Sequence, residues 1–185
     1  MTIYLVGACC VGKTTIGRML SQRLGFAFYD IDEEIEKYYQ KPIERIQNEC
    51  LSMNGFREKG SIVLDFIFSK NDFSVVASTP SGLMHNYLRI YKKQIKRKKI
   101  VSIHIKDEPE NILNRLTFYD VDSKPIRLDL NESERKKYLK SIVSDYNYFK
   151  ESYKRADIQV DISGMNVDNI PDEILKILKE KNITK

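Results

Sequence analysis

The chain has 185 residues, of which 42% are hydrophobic and 31% are charged, and its formal net charge is +5. This length fits one domain with a substantial core. The three cysteines are too few for a disulfide-rich secreted protein, and no apolar run reaches the length of a membrane span. The chain enters its first apolar segment without a basic leader or a cleavage site. We therefore expect a cytoplasmic protein that does not bind a membrane.

The positive charge is a mild excess, with 31 Lys and Arg residues against 26 Asp and Glu residues. It would suit a small anionic substrate or loose contact with nucleic acid, but a lysine-rich solvated surface explains it equally well. Its densest part is the run 92–99 at the end of a predicted helix, where cations complement the helix dipole. We expect a monomer without a nucleic-acid partner.

A phosphate-binding loop (P-loop) follows the first apolar segment. Residues 7–14 read G-x-x-x-x-G-K-[ST], between an apolar strand at 3–6 and a helix with Ile16 and Leu20 on one face. This strand–loop–helix context presents backbone N–H groups at the positive end of a helix dipole. We expect Lys13 to contact the β- and γ-phosphates of ATP and the Thr14 hydroxyl to hold Mg²⁺. The predicted ATP contacts in this region are Gly7, Cys10, Val11, Gly12, Lys13, Thr14 and Thr15.

Further apolar runs predict four more strands, and helical periodicity separates them. The predicted strands are 26–29, 73–77, 100–105 and 156–160, and the longer predicted helices are 56–69, 83–91, 131–148 and 171–179. Asn54-Gly55 is interpreted as a turn before the helix at 56–69, and residues 119–130 lack periodicity and are interpreted as a mobile loop. This alternation predicts an α/β fold with a five-stranded parallel sheet and helices on both faces.

Three polar segments follow predicted strands. They are the P-loop, Asp30-Ile31-Asp32 and the loop 78–82. Because ligands of such folds bind at the carboxyl ends of the strands, these segments predict one active site. Two carboxylates separated by a single residue can serve different partners there, one a metal and one an acceptor hydroxyl.

The sequence resembles the shikimate kinase family over nearly the whole chain. The resemblance rests on the P-loop near residue 7, on the segment 28–36 with sequence FYDIDEEIE, and on Gly55-Phe56-Arg57. It implies a single domain, 1–185, with a three-layer P-loop kinase fold, a substrate-binding helical section at about 32–60 and a lid at about 119–130. It also implies ATP-dependent, Mg²⁺-dependent phosphorylation of shikimate to shikimate 3-phosphate, a step of aromatic amino acid biosynthesis.

The resemblance assigns roles to particular residues. Asp30 resembles the carboxylate that holds a water on Mg²⁺, and Asp32 resembles the one that accepts the proton of the acceptor hydroxyl. Arg57 resembles the arginine that grips the substrate carboxylate, for which a planar guanidinium is suited. The loop after the third strand implies acceptor contacts at Ser81 and Gly82.

Two further residues are assigned to the nucleotide side. Arg115 resembles the arginine that stacks on adenine. Lys124 falls where the family has an arginine before proline that reaches the ATP phosphates from the lid. A lysine at this position keeps the charge but loses the bidentate geometry.

The sequence departs from the family in the acceptor half. Thr79-Pro80-Ser81 replaces a run of three glycines, and proline removes one N–H donor. The segment 145–150 lacks the family's second carboxylate-binding arginine, and Gly60 replaces a glutamate. The loss of one charge-assisted contact would weaken acceptor binding by about 10- to 100-fold.

These departures leave several functions open. The chain is expected to be a kinase for shikimate, or a P-loop kinase for another small hydroxylated acid, sugar or nucleotide. A nucleotide-binding regulator without catalysis is a third possibility, but such a protein would not need the proton-accepting Asp32. An RNA-directed kinase is the fourth, and only the basic run 92–99 supports it.

Overall fold

The computed structural model describes residues 1–70 and 72–183. Its strands are β1 (Thr2–Val6), β2 (Ala27–Asp30), β3 (Ser74–Ala77), β4 (Ile100–Lys106), β5 (Phe118–Tyr119), β6 (Pro125–Ile126) and β7 (Ile158–Asp161). Five of them form a parallel sheet in the order β2-β3-β1-β4-β7, and β5 pairs with β6 as an antiparallel hairpin. Because β1 is the central strand, the P-loop that follows it emerges at the middle of the sheet edge.

Helices connect the strands and cover both faces of the sheet. They are α1 (Lys13–Leu24), α2 (Ile31–Tyr39), α3 (Ile43–Asn48), α4 (Met53–Ser69), α5 (His85–Gln94), α6 (Pro109–Asn114), α7 (Glu132–Tyr153) and α8 (Ile170–Glu180). Within the described residues, none of them is long and apolar enough to cross a membrane.

The core has two parts, one on each face of the sheet. Successive side chains of a strand point to opposite faces. Ile3 and Leu5 of β1 belong to a buried cluster with residues of α1 and α8, including Leu20. Tyr4 and Val6 belong to a second cluster, which residues of α2, α4 and α5 complete. The α/β fold with a five-stranded parallel sheet and helices on both faces is confirmed.

Three local predictions differ from the structure. Asn54-Gly55 is not a turn, because α4 begins at Met53 and Ser52 Oγ accepts a hydrogen bond from the Gly55 N–H at 3.3 Å. Helix α7 continues to Tyr153 rather than ending near 148. The segment 119–130 is not without regular structure, because it contains most of the β5–β6 hairpin.

Candidate active site

The P-loop is shaped for an anion by its backbone. Gly12 takes a left-handed conformation (φ 102°), which favours glycine, and none of the described side chains caps the first turn of α1. The N–H groups at this end of the helix are therefore free to receive phosphate oxygens. Gly7 lies so close to the Ile105 carbonyl oxygen that a Cβ there would overlap it.

Lys13 lies inside this loop, with only 8% of its surface exposed. Its Nζ donates hydrogen bonds to the carbonyl oxygens of Gly7 at 3.1 Å and Ala8 at 2.7 Å. Burial lowers the pKa of Lys13, while nearby acidic groups, Asp32 among them, oppose this effect. The loop thus holds the ammonium group in place, ready for phosphate oxygens to replace these carbonyl contacts.

Asp30 and Thr14 form a pair at the next strand end. The Thr14 hydroxyl donates to Asp30 Oδ2 at 2.6 Å. The other carboxylate oxygen, Oδ1, accepts from the Asp32 N–H at 3.0 Å and so caps α2. An alcohol and a carboxylate are the oxygen ligands that Mg²⁺ takes in P-loop kinases, so these two side chains fit the predicted metal site.

Asp32 lines the same cleft, and its pKa is raised above the ordinary value of an aspartate. Solvent reaches the residue from the cleft mouth, but the surrounding walls remove much of the water around its carboxylate. This burial, together with the charge of Asp30, raises the pKa of Asp32 to about 7, and Lys13 acts in the opposite direction. A carboxyl group tuned close to neutral pH is suited to accept a proton from a hydroxyl.

One cleft of about 520 Å³ brings these groups together. It is lined by Cys9, Cys10, Gly12, Lys13, Thr14, Thr15, Asp30, Asp32, Ser78, Pro80, Arg115, Thr117 and Tyr119. The three polar segments that the sequence singled out therefore share one site. Thr117 is a lining residue outside every segment that the sequence singled out, because its position depends on how distant loops meet.

A second cavity of about 470 Å³ adjoins the P-loop, and Val11, Gly12 and Thr15 are among the residues that line it. Arg115 borders both cavities. Its Nε donates to the Cys10 carbonyl oxygen at 3.3 Å, and its Nη2 pairs with the buried carboxylate of Asp107. Asn111 holds the other oxygen of Asp107 at 2.8 Å. This placement suits the predicted role of Arg115 in binding the base, which stays a prediction. Asp107 holds the Arg115 guanidinium in position. Asp107 lies just after β4, and its place at the carboxyl end of a strand could have indicated it from the sequence.

The loop after β3 presents different residues to the cleft from those predicted. Ser81 is buried, and its hydroxyl pairs with Thr79 Oγ1 at 3.1 Å. The Gly82 carbonyl accepts from the Tyr4 hydroxyl at 3.0 Å, in the core. Ser78 and Pro80 line the cleft instead. The proposed acceptor contacts of Ser81 and Gly82 stay predictions, and Pro80 offers no N–H donor at this wall.

Arg57 lies on α4, half-buried, and forms no hydrogen bond or ion pair with the residues that the structure describes. It lies near the buried hydroxyl of Tyr87, whose pKa is raised by burial and by the charge of Asp32 and lowered in part by Arg57. The Tyr87 hydroxyl is buried and has no hydrogen-bond partner within the described residues. Asp32 and Arg57 are therefore both close enough to change the pKa of this buried phenol, in opposite directions.

Tyr87 explains the glycine at position 60. A Cβ on Gly60 would overlap the Tyr87 hydroxyl, so α4 has no space there for a glutamate. We expect Gly60→Ala to destabilise the protein by about 1–3 kcal/mol, because overpacking forces the core to shift. Gly55 lies on the same helix, and a Cβ there would make only an ordinary 3.8 Å contact. Gly55→Ala should therefore stabilise by about 0.5–1 kcal/mol through helix propensity. Urea denaturation of both variants measures the difference.

Tyr87→Phe provides the control for this comparison. Removing the hydroxyl removes the overlap, so the penalty of Gly60→Ala should fall sharply in the Tyr87→Phe background. An equal penalty in both backgrounds would contradict the assignment of the clash to the hydroxyl.

The segment that is predicted to be a lid contacts the helical section that is predicted to bind the substrate. Its tip contacts α3, since Arg45 pairs with Asp122 at 2.5 Å and the Ile43 N–H donates to Ser123 Oγ at 3.2 Å. Lys124 is exposed, and its N–H donates to Asp120 Oδ1 at 2.9 Å inside the hairpin. Its proposed phosphate contact stays a prediction, as do the lid and the section 32–60 as functional units.

Comparison with known proteins is consistent with this geometry. A sequence model of the shikimate kinase family matches residues 9–179. A shikimate kinase from Persephonella marina is 33% identical over 183 residues, with 94% of this chain and 96% of that protein covered. One from Flavobacterium psychrophilum is 28% identical, with 95% and 98% covered. The crystal structure of shikimate kinase from Aquifex aeolicus superposes with a TM-score of 0.70 at 26% identity and covers 99% of both chains.

A further solved structure shares the fold. Shikimate kinase from Acinetobacter baumannii, in complex with shikimate, superposes with a TM-score of 0.73 at 23% identity, over 99% of this chain and 95% of that one. The family match and the relative in Persephonella marina each cover most of the sequence, and the P-loop, Asp30 and Asp32 share one cleft. The chain belongs to the shikimate kinase family.

Proposed function

We propose that this protein transfers the γ-phosphoryl group of ATP to the 3-hydroxyl of shikimate, in the cytoplasm. The observation that carries this proposal is the arrangement of Lys13, the Thr14–Asp30 pair and Asp32 around one cleft. Phosphoryl transfer needs alignment and charge neutralisation more than covalent catalysis, and this cleft offers both.

Different side chains of the protein perform separate parts of this reaction. Lys13 and the P-loop N–H groups hold the phosphates in line with the acceptor. Thr14 and Asp30 would hold Mg²⁺, which supplies neutralisation of the phosphate charge. Asp32 accepts the proton of the attacking hydroxyl, and its pKa of about 7 suits that task. Arg57, which has no partner within the described residues, is available for the acceptor carboxylate.

The wall formed by Pro80 supports a second candidate, a kinase of the same type for another small hydroxylated acid. Pro80 lines the cleft without an N–H donor. Of the nearby cations at the end of α7, Lys154 pairs with Glu151 at 2.7 Å, and Arg155 donates to the Leu83 carbonyl at 3.1 Å. Both are thus engaged elsewhere, whereas Arg57 has no partner within the described residues and lies near Tyr87, so Arg57 is the acceptor-binding cation that we assign.

The test is ADP release from MgATP in the presence and absence of shikimate, with the product analysed by mass spectrometry. We expect shikimate-dependent turnover and one phosphoryl group on the acceptor. If ATP binds and shikimate does not stimulate turnover, a panel of hydroxylated acids and sugars tests the second candidate. Turnover with none of them would leave the protein as a nucleotide-binding regulator.

A further inference from the structure

We propose that Cys9 and Cys10 form a two-thiol binding site for trivalent arsenicals within the P-loop, and that its occupation excludes ATP. The two sulfur atoms lie 3.7 Å apart. They are adjacent in sequence, and in an extended segment successive side chains would point in opposite directions. Here Cys10 has a left-handed backbone (φ 56°), and the loop brings both thiols to the same side.

The distance between the sulfurs fits one bridging atom better than a bond between them. A soft centre bonds to thiolate sulfur at roughly 2.3 Å, the value known for zinc, so one atom between the sulfurs can bond to both. A disulfide usually needs a Cα separation of roughly 4.4–6.8 Å. Neighbouring residues are held at roughly 3.8 Å by the trans peptide bond, so a disulfide between them would be strained.

The surroundings of the thiols favour reaction. The thiol of Cys9 donates a hydrogen bond to Cys10 and lowers the pKa of Cys10 to about 6, and the Thr117 N–H and the charge of Lys13 add to this effect. This shift favours the thiolate of Cys10, which is the nucleophilic form. Cys9 is exposed and Cys10 is half-buried, so a small reagent can reach the pair from the cleft.

The reaction is a condensation without redox change. With an organoarsenous acid, R–As(OH)₂, the Cys10 sulfur attacks arsenic and one As–O bond breaks. The Cys9 sulfur then displaces the second hydroxyl group. Two As–S bonds form and two As–O bonds break. The departing hydroxyl groups take up one proton from the Cys9 thiol and one that the Cys10 thiol has released to the solvent, and they leave as two molecules of water. Arsenic stays trivalent throughout.

The position of the pair links its occupation to the nucleotide. Both cysteines line the cleft that also contains Lys13 and Thr14. An arsenic atom with its organic group would occupy the space in front of the P-loop, where the phosphates are proposed to bind. This last step rests on the proposed binding of ATP, whereas formation of the adduct does not.

The test uses phenylarsine oxide, which hydrates to the organoarsenous acid, and intact-protein mass spectrometry. We expect one phenylarsenic group per chain, released by an added dithiol but not by the same concentration of thiol groups in a monothiol. In Cys9→Ser, retention should weaken by roughly 10²- to 10⁴-fold, because one sulfur loses the advantage of chelation. Cys50 is a single half-buried thiol that donates to the Ile46 carbonyl at 3.2 Å. The matched control Cys50→Ser should therefore keep the adduct.

Two further outcomes decide the proposal. Retention of the adduct in Cys9→Ser, or its loss in Cys50→Ser, would overturn the assignment to this pair. Saturating MgATP should slow adduct formation. An unchanged rate, with ATP binding confirmed in the same sample, would overturn the exclusion of ATP and leave the arsenical site standing. Failure of ATP to bind at all would count against the proposed kinase function instead.

Discussion

Replacement of Asp32 by asparagine is expected to reduce turnover by about 10²- to 10⁴-fold, the usual contribution of a positioned general base. The amide has nearly the same shape as the carboxyl group, but it cannot accept the proton of the acceptor hydroxyl. Because Asp30, Thr14 and Lys13 remain, the affinity for MgATP should change little. The measurement is kcat from a coupled ADP assay, together with ATP affinity by calorimetric titration.

Glu33→Gln is the matched control for this variant. Glu33 lies one residue further along α2 and pairs with Arg18 outside the cleft. At Glu33 the change from carboxylate to amide should leave kcat within a factor of about three of the native value, because an exposed ion pair contributes little energy. A loss of turnover in Glu33→Gln as large as that in Asp32→Asn would contradict the role of general base.

The Asp32→Asn variant should be more stable than the native protein at pH 8, when both are free of metal and nucleotide. Folding raises the pKa of Asp32 from 3.8 to about 7. Below pH 3.8 the group is protonated in both states and does not affect stability. Between these two values the unfolded state loses the proton first, so native stability falls as the pH rises. Because solvent reaches Asp32, we expect a difference of no more than about 1 kcal/mol at pH 8, which vanishes near pH 4. Urea denaturation across this range measures it.

Sequence patterns predicted the parts of the fold that are encoded locally. The P-loop motif located the turn after β1. Gly25 directly follows α1 and has the left-handed conformation (φ 66°) that is typical of the residue after a helix. The placement of Asp30 and Asp32 after a short apolar strand correctly located their shared cleft. In each case the signal lies within a few residues of the feature that it specifies.

Features that depend on distant segments could not be predicted in this way. Gly60 and Tyr87 are far apart in sequence, and only packing of α4 on α5 shows that one excludes a side chain at the other. The β5–β6 hairpin has two residues in each strand, too few for an alternating pattern to indicate. The hydroxyl of Ser81 pairs with Thr79 Oγ1 inside the turn after β3, a contact that no periodic pattern indicates, and the predicted acceptor contact of Ser81 stays a prediction.

Lys13→Met is expected to lower kcat/KM by about 10²- to 10³-fold, because it removes the fixed cation that stabilises the negative charge of the transition state. Affinity for MgATP should fall less, by about 10- to 100-fold, which corresponds to one charge-assisted contact. Methionine is an unbranched side chain one atom shorter than that of lysine, and it carries no charge. Lys92→Met, on the exposed part of α5, controls for the change in net charge and should leave both quantities unaltered.

Lys13→Arg tests whether position matters as well as charge. Lys13 Nζ lies between two carbonyl oxygens at 2.7 and 3.1 Å, in a loop that buries it. A planar guanidinium is larger and needs a different arrangement of acceptors. We therefore expect Lys13→Arg to recover less than a tenth of the lost kcat/KM, a factor of ten being about 1.4 kcal/mol. Recovery of full activity would show that charge alone suffices, and would contradict a role that depends on the fixed position of the ammonium group.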